Sequence, residues 1–228
     1  MNETKQDNAK ELETISKSND DYRETGYRSS YEKKIMNLDY IYSAIIGVLG
    51  GIISSLIPFS LLIKVWYPFT GGTQLVSGHH VIWGVIVYGL TKKKKDIILT
   101  MVTKGILEFL LGDPWGLLIL FVNFMESILL SAGFYVMEIL GEGESKLGWG
   151  IAGGIGNFFQ APFFWIMNQR LYLYWSMEYP YIRIYSYLHW SLWALAFIFA
   201  FISGVLITGL LGKTIKDSLI KVGVPITY

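Results

Sequence analysis

The chain contains no cysteine, which excludes disulfides, thiolate nucleophiles and cysteine-ligated metals. It also lacks a charge of one sign: 19 Lys and Arg against 18 Asp and Glu leave +1. That balance points to neither nucleic acid nor an acidic substrate. Minimal catalytic motifs are missing too. There is no HExxH and no GxSxG, so zinc-protease and serine-hydrolase chemistry lack their parts. The run from Gly209 to Thr214, GLLGKT, imitates a phosphate-binding loop, but the eight-residue pattern needs glycine where Ile207 stands, and no strand precedes it. It reads as a helix end. No enzyme and no cofactor are expected, and the chain carries no ATPase of its own.

An early apolar core is also absent, since none occurs before Ile41. A cleaved signal peptide is therefore not expected. Residues 1–35 are polar and mixed in charge, a composition that cannot bury enough surface to order itself, and read as a cytoplasmic tail. Residues 36–228 are different. The whole chain is 52% hydrophobic and 16% aromatic, with mean hydropathy +0.40, and its charges crowd into the tail and a few short connections. This is the pattern of an all-α polytopic membrane protein.

Six apolar segments approach the length that crosses about 30 Å of hydrocarbon. They run from about Asp39 to Trp66, with a kink or break expected at Pro58, then Val76–Leu90, Asp96–Gly112, Trp115–Leu140, Leu147 to about Met167, and His189–Gly212. Lys33, Lys34, Lys92–Lys95, Lys146, Lys213, Lys216 and Lys221 fall on one side of this arrangement, and Arg170 and Arg183 on the other. Both termini are then expected in the cytoplasm, with the protein multi-pass in the cell membrane. The Lys92–Lys95 run reads as a solvated anchor for anionic lipid.

The polar residues inside these segments are the functional candidates, because an uncompensated carboxylate at membrane depth is costly. Glu108 lies four residues, about 6 Å, from the outer end of the third segment; Asn123 and Glu126 sit about 12 and 16 Å below the outer surface. Asn157 and Gln160 lie about 15 and 20 Å from the inner surface. Each of the two pairs is spaced i,i+3 and shares a helical face. Lys104 lies i,i+4 from Glu108. If the two pair, Glu108 is satisfied and Glu126 becomes the better counter-ion for a ligand. Between the two segments, Gly-Asp-Pro-Trp-Gly makes a tight turn with Asp113 as a cap for the following helix.

His79, His80, Trp83 and Trp115 surround this cluster, as do Tyr172, Tyr174, Trp175, Tyr179, Tyr181, Tyr185 and Tyr187 in the fifth connection. Aromatic walls with a few polar groups suit a flat heterocycle, and carboxylates among them suit a cationic one. Interfacial belts of Tyr and Trp are common in membrane proteins, so no single ring marks a ligand. His79 and His80 diverge by about 100° on a helix, and no third ligand supports a metal. Small-residue faces occur at Ser43, Gly47 and Gly51, at Gly150 with Gly154 and Ala152 with Gly156, and at Gly204, Thr208 and Gly212. Such faces let helices approach closely. The first is the one assigned to a partner.

The run LEFLLGDPWGLLILFVNFMES resembles the ExLLGSPWG region of the thiamine and hydroxymethylpyrimidine branch of the substrate-binding (S) components of energy-coupling-factor (ECF) transporters. The ending SGVLITGLLGKTIKDSLIKVGV is similar to that branch's last helix. The resemblance covers about residues 40–225, and Glu108, Gly112, Pro114, Trp115 and Gly116 match its motif. It implies six helices, an outward-facing vitamin site, and contacts from helix one to a transmembrane coupling (T) subunit with two cytoplasmic ATPases. The function it implies is capture of thiamine or its pyrimidine precursor from outside for an ABC-type importer. A self-sufficient permease using Lys104, Glu108 and Glu126 as a proton relay is the alternative reading of the residues themselves.

Overall fold

The computed structural model describes residues 38–56, 76–113, 116–161 and 190–227. The expected tail, the Pro58 kink, Trp115 and the aromatic fifth connection lie outside them. Among the described residues the chain is helical: α1 (Leu38–Leu56), α2 (Gly78–Thr91), α3 (Lys94–Leu110), α4 (Leu118–Ile139), α5 (Lys146–Phe158) and α6 (Trp190–Ser203). α6 continues through a π-helical stretch, Gly204–Leu211, into α7 (Gly212–Lys221). Three described spans are long and apolar enough to cross a membrane: Leu38–Leu56, Leu118–Ile139 and Ala194–Lys221.

Within the unit Ile41–Tyr228, α2 is the buried centre. All of its 14 residues except His79 and Trp83 are buried, as expected of a helix that is apolar all round. Val81, Val85 and Tyr88 meet Ile97 and Met101 of α3, Leu130 and Phe134 of α4, and Trp149 and Ala152 of α5 in one core. Tyr88 stacks on Phe134 with ring centroids 4.0 Å apart, and Phe134 meets Trp149 edge-on at 5.3 Å. Its other side meets Ile46 of α1 and Ile215 and Leu219 of α7. At about 21 Å, α2 is too short to cross the hydrocarbon alone.

The start of α2 is capped by a distant helix. Gly78 N–H donates to Ser203 Oγ at 2.9 Å, and Thr208 Oγ1 donates to Gly78 carbonyl at 2.7 Å. Thr208 follows Ser203 by five positions, so the π-helical winding between them helps to bring both hydroxyls to one glycine. That stretch also presses its glycines against α5. A Cβ on Gly204 would sit 2.4 Å from Gly153 carbonyl oxygen, and one on Gly209 2.3 Å from Trp149 carbonyl oxygen. The small-residue faces of the fifth and last helices thus meet backbone to backbone.

Three expectations are corrected here. The stripe of Ser43, Gly47 and Gly51 does not face outward for a partner: Ser43 is fully buried, a Cβ on Gly47 would meet Thr100 carbonyl oxygen at 2.7 Å, and one on Gly51 would meet Leu107 at 2.8 Å. The flat face is filled by α3, leaving Ile45, Val48, Leu49 and Ile52 exposed. GLLGKT is not a helix end, because the helix runs on to Lys221 and stops beside Gly223, whose φ is +91°. Asp113 does not cap α4, which begins at Leu118 behind Leu117 with no side-chain cap; a turn from Asp113 carbonyl to Gly116 N–H intervenes.

Two substitutions check this packing. Gly209→Ala forces a methyl onto the α5 backbone and is expected to lower the melting temperature of the detergent-solubilised protein, at a cost of about 1–3 kcal/mol. Gly47→Leu is expected to lower it as well; an unchanged melting temperature with selective loss of transport would return the stripe to a partner.

Candidate functional site

The polar residues collect in one half of the bundle: the start of α2, the C-terminal half of α3, the N-terminal half of α4 and the end of α5. Helix phase explains the meeting. Lys104 and Glu108 stand one turn apart on the face of α3 that packs on α4, where Asn123 and Glu126 are likewise one turn apart. Glycine helps: a Cβ on Gly105 would lie only 3.2 Å from Asn123.

Lys104 is the hub. Its ammonium is fully buried and donates to Glu108 Oε1 at 2.6 Å, Asn123 Oδ1 at 2.9 Å and His80 Nδ1 at 3.2 Å. An ammonium has three protons, and all three are used. Because lysine can only donate, His80 Nδ1 must accept, which assigns a neutral imidazole protonated on Nε2. The 3.6 Å approach of His80 Nδ1 to Glu108 Oε1 is therefore not a charged pair. Asn123 Nδ2 closes the ring by donating to Glu108 Oε2 at 2.8 Å and to Ile119 carbonyl at 2.9 Å. Both carboxylate oxygens of Glu108 are thus held within the chain. Lysine preceding glutamate is the weaker order for an isolated helix, so the other two helices, rather than α3 itself, set this geometry.

A second group adjoins the first. Gln160 donates a hydrogen bond to the Glu126 carboxylate, and its amide nitrogen lies 3.5 Å from Ser77 carbonyl oxygen. Asn157 Nδ2 donates to Ser77 Oγ at 2.7 Å and to Ala200 carbonyl at 2.6 Å. Glu126 and Asn157 are about fully buried, 1% and 0% exposed, yet Glu126 Oε1 and Asn157 Oδ1 have no hydrogen-bond partner among the described residues. Buried acceptors left without a partner are uncommon, because each forfeits its hydration. Both remain able to accept a hydrogen bond.

Of the residues expected from sequence, Glu108, Asn123, Glu126, Asn157 and Gln160 are brought together. His79 and Trp83 are not shown among them. His79 Nδ1 bonds Val76 carbonyl at 2.7 Å, and Trp83 lies over Gly50 of α1, where a Cβ would meet its ring at 2.7 Å. The helix turns His80 inward instead. Ser77 is a further member that nothing in the sequence singles out, whereas His80 is visible there as one of an adjacent pair that only the helix phase separates. Trp115 lies outside the described residues. Among the described residues no group of three or more His, Asp or Glu is placed to hold a metal ion.

Comparison with known proteins gives two findings. A family model described as the permease component of an ABC-type cobalt transport system matches residues 38–140. A solved structure titled as an S-component of an ECF transporter superposes with TM-score 0.64 at 19% identity, over 82% of this chain and 86% of that one. No curated protein matches the sequence. The fold is that of an S-component.

The buried network makes a testable statement about Glu108. Removing either member of a buried ion pair leaves the other uncompensated, typically at about 3–5 kcal/mol. Glu108→Gln and Lys104→Met are each expected to lower the melting temperature, and the double variant to recover much of the loss. Additive losses in the double-mutant cycle would show that the two do not act as a pair.

Proposed function

We propose that the chain is the substrate-binding subunit of an ECF-type ABC importer and captures thiamine or its hydroxymethylpyrimidine precursor from outside. The S-component fold supports the class, and the match to an ABC transport family is in keeping with it. The observation that carries the reading is the pair of buried acceptors, Glu126 Oε1 and Asn157 Oδ1, beside Gln160 and Ser77. They supply acceptors for the N–H groups of a flat polar heterocycle, and Glu126 supplies the one carboxylate of the network whose charge Lys104 does not directly take up. The subunit does no bond chemistry; a transmembrane coupling subunit and two cytoplasmic ATPases complete the importer.

A metal cargo fits these residues less well. Lys104 places a buried ammonium between Glu108 and His80, so a cation there would meet a like charge before it met a ligand atom. The same engagement weighs against a proton relay through Lys104 and Glu108, whose polar atoms already hold one another.

Titration of the purified protein alone is the test, read by tryptophan fluorescence with thiamine, hydroxymethylpyrimidine and Co²⁺. Saturable binding of a pyrimidine and none of Co²⁺ is expected. Glu126→Gln is expected to weaken thiamine on the order of a hundredfold with little change in melting temperature, while leaving the uncharged precursor less affected. Binding of Co²⁺ alone would overturn the ligand class, and uptake driven by a proton gradient in vesicles containing this chain only would overturn the importer reading.

A further inference from the structure

At the opposite end of the bundle, three lysine ammoniums converge on one aromatic ring. Lys92 Nζ lies 5.1 Å from the centroid of Trp149, Lys213 Nζ 4.9 Å and Lys216 Nζ 5.6 Å. Lys92 comes from the α2–α3 connection and the other two from α7, so the convergence is tertiary. Trp149 itself is fully buried, and its indole N–H is held by Gly143 carbonyl at 2.9 Å. Carboxylates stand nearby. Glu144 pairs with Lys92, and Asp217 lies 3.1 Å from Lys216 and 3.9 Å from Lys213.

The arrangement is unequal: the cations lie inside, with side chains 17%, 14% and 8% exposed, whereas Glu144 and Asp217 lie outside at 65% and 45%. The face of Trp149 attracts each ammonium but leaves their mutual repulsion in place. Three ammoniums gathered on one ring suit an anion with several acceptor oxygens, and phosphate has that chemistry. The level in the fold then selects the source. The cluster sits beside the end of the span Leu118–Ile139 and within the last turns of Ala194–Lys221, and Leu140, Leu147 and Leu211 are exposed apolar residues in the same segments. Lysines at the level of the headgroups bordered by apolar side chains match a phospholipid, which offers phosphate and acyl chain together.

We propose that Lys92, Lys213 and Lys216, gathered over Trp149, form a site for the phosphate of an anionic phospholipid. The site lies apart from the polar network of the other half and does not rest on the vitamin reading. It differs from diffuse attraction to a lysine-rich end in that it names three lysines and leaves Lys146 and Lys221 out.

The test uses the full chain in nanodiscs of phosphatidylcholine with or without phosphatidylglycerol, with bound lipid counted by native mass spectrometry. Saturable retention of phosphatidylglycerol over phosphatidylcholine is expected. Loss of each lysine should weaken retention roughly fivefold, so Lys213→Gln with Lys216→Gln should lose about 25-fold. Lys146→Gln with Lys221→Gln removes the same charge from the same end and should change retention less than about twofold. Because Lys216 packs over Gly89, Lys213→Gln alone, with its expected fivefold loss, keeps the test independent of folding. Equal losses in the two double variants, or no preference for the anionic lipid, would overturn the site. Saturable binding of inorganic phosphate to the same lysines in detergent, in competition with the lipid, would reassign it to a soluble phosphate.

Discussion

An ammonium ion inside an apolar bundle constrains everything around it. Lys104 cannot be hydrated where it lies, so three helices must each deliver an acceptor within 3.2 Å: Glu108 from α3, Asn123 from α4 and His80 from α2. Meeting that demand fixes the phase of α2 and the register of α3 on α4. It also engages both carboxylate oxygens of Glu108 within the chain. Glu126, Asn157 and Gln160 lie beyond the hub, joined to it through the shared face of α4.

The two halves of the bundle solve opposite electrostatic problems with the same central helix. At its start, α2 contributes His80 and, just before it, Ser77 to a network that holds one lysine with neutral and acidic groups. Near its end, Tyr88 donates to one carboxylate oxygen of Glu138 while Lys94 donates to the other, and Lys92 follows. Between the halves lies the stacked core of Tyr88, Phe134 and Trp149. Trp149 serves both, because one face of its residue packs in that core while the ring stands within reach of three ammoniums. The glycine seam between α5 and the π-helical stretch permits this, since their close approach carries the lysines of α7 to Trp149.

Much of the helical order was legible in the chain itself. Apolar length and the positions of lysine runs locate the starts of the described helices to within a few residues, because membrane thickness and backbone hydrogen bonding leave few alternatives. The polar pairs Asn123/Glu126 and Asn157/Gln160 announce themselves, since such residues are expensive in hydrocarbon and seldom placed there without a role. Even the possible partnership of Lys104 and Glu108 follows from a spacing of four.

Other features depend on relations between helices that no local pattern contains. Whether His79 or His80 turns inward depends on the rotation of α2, which its neighbours set. A small-residue stripe says that something approaches closely, but not whether it is α3 or another protein; the stripe of Gly47 and Gly51 met α3. The π-helical winding at Gly204–Leu211 exists to satisfy two contacts at once, the backbone of α5 and the start of α2, so its sequence looks like an ordinary apolar helix. Composition and spacing therefore determined that this is a helical membrane protein with polar groups in its interior. The tertiary structure decided which of those polar groups are consumed in holding the bundle together and which are left over, because hydrogen-bond partners are shared among elements far apart in the chain.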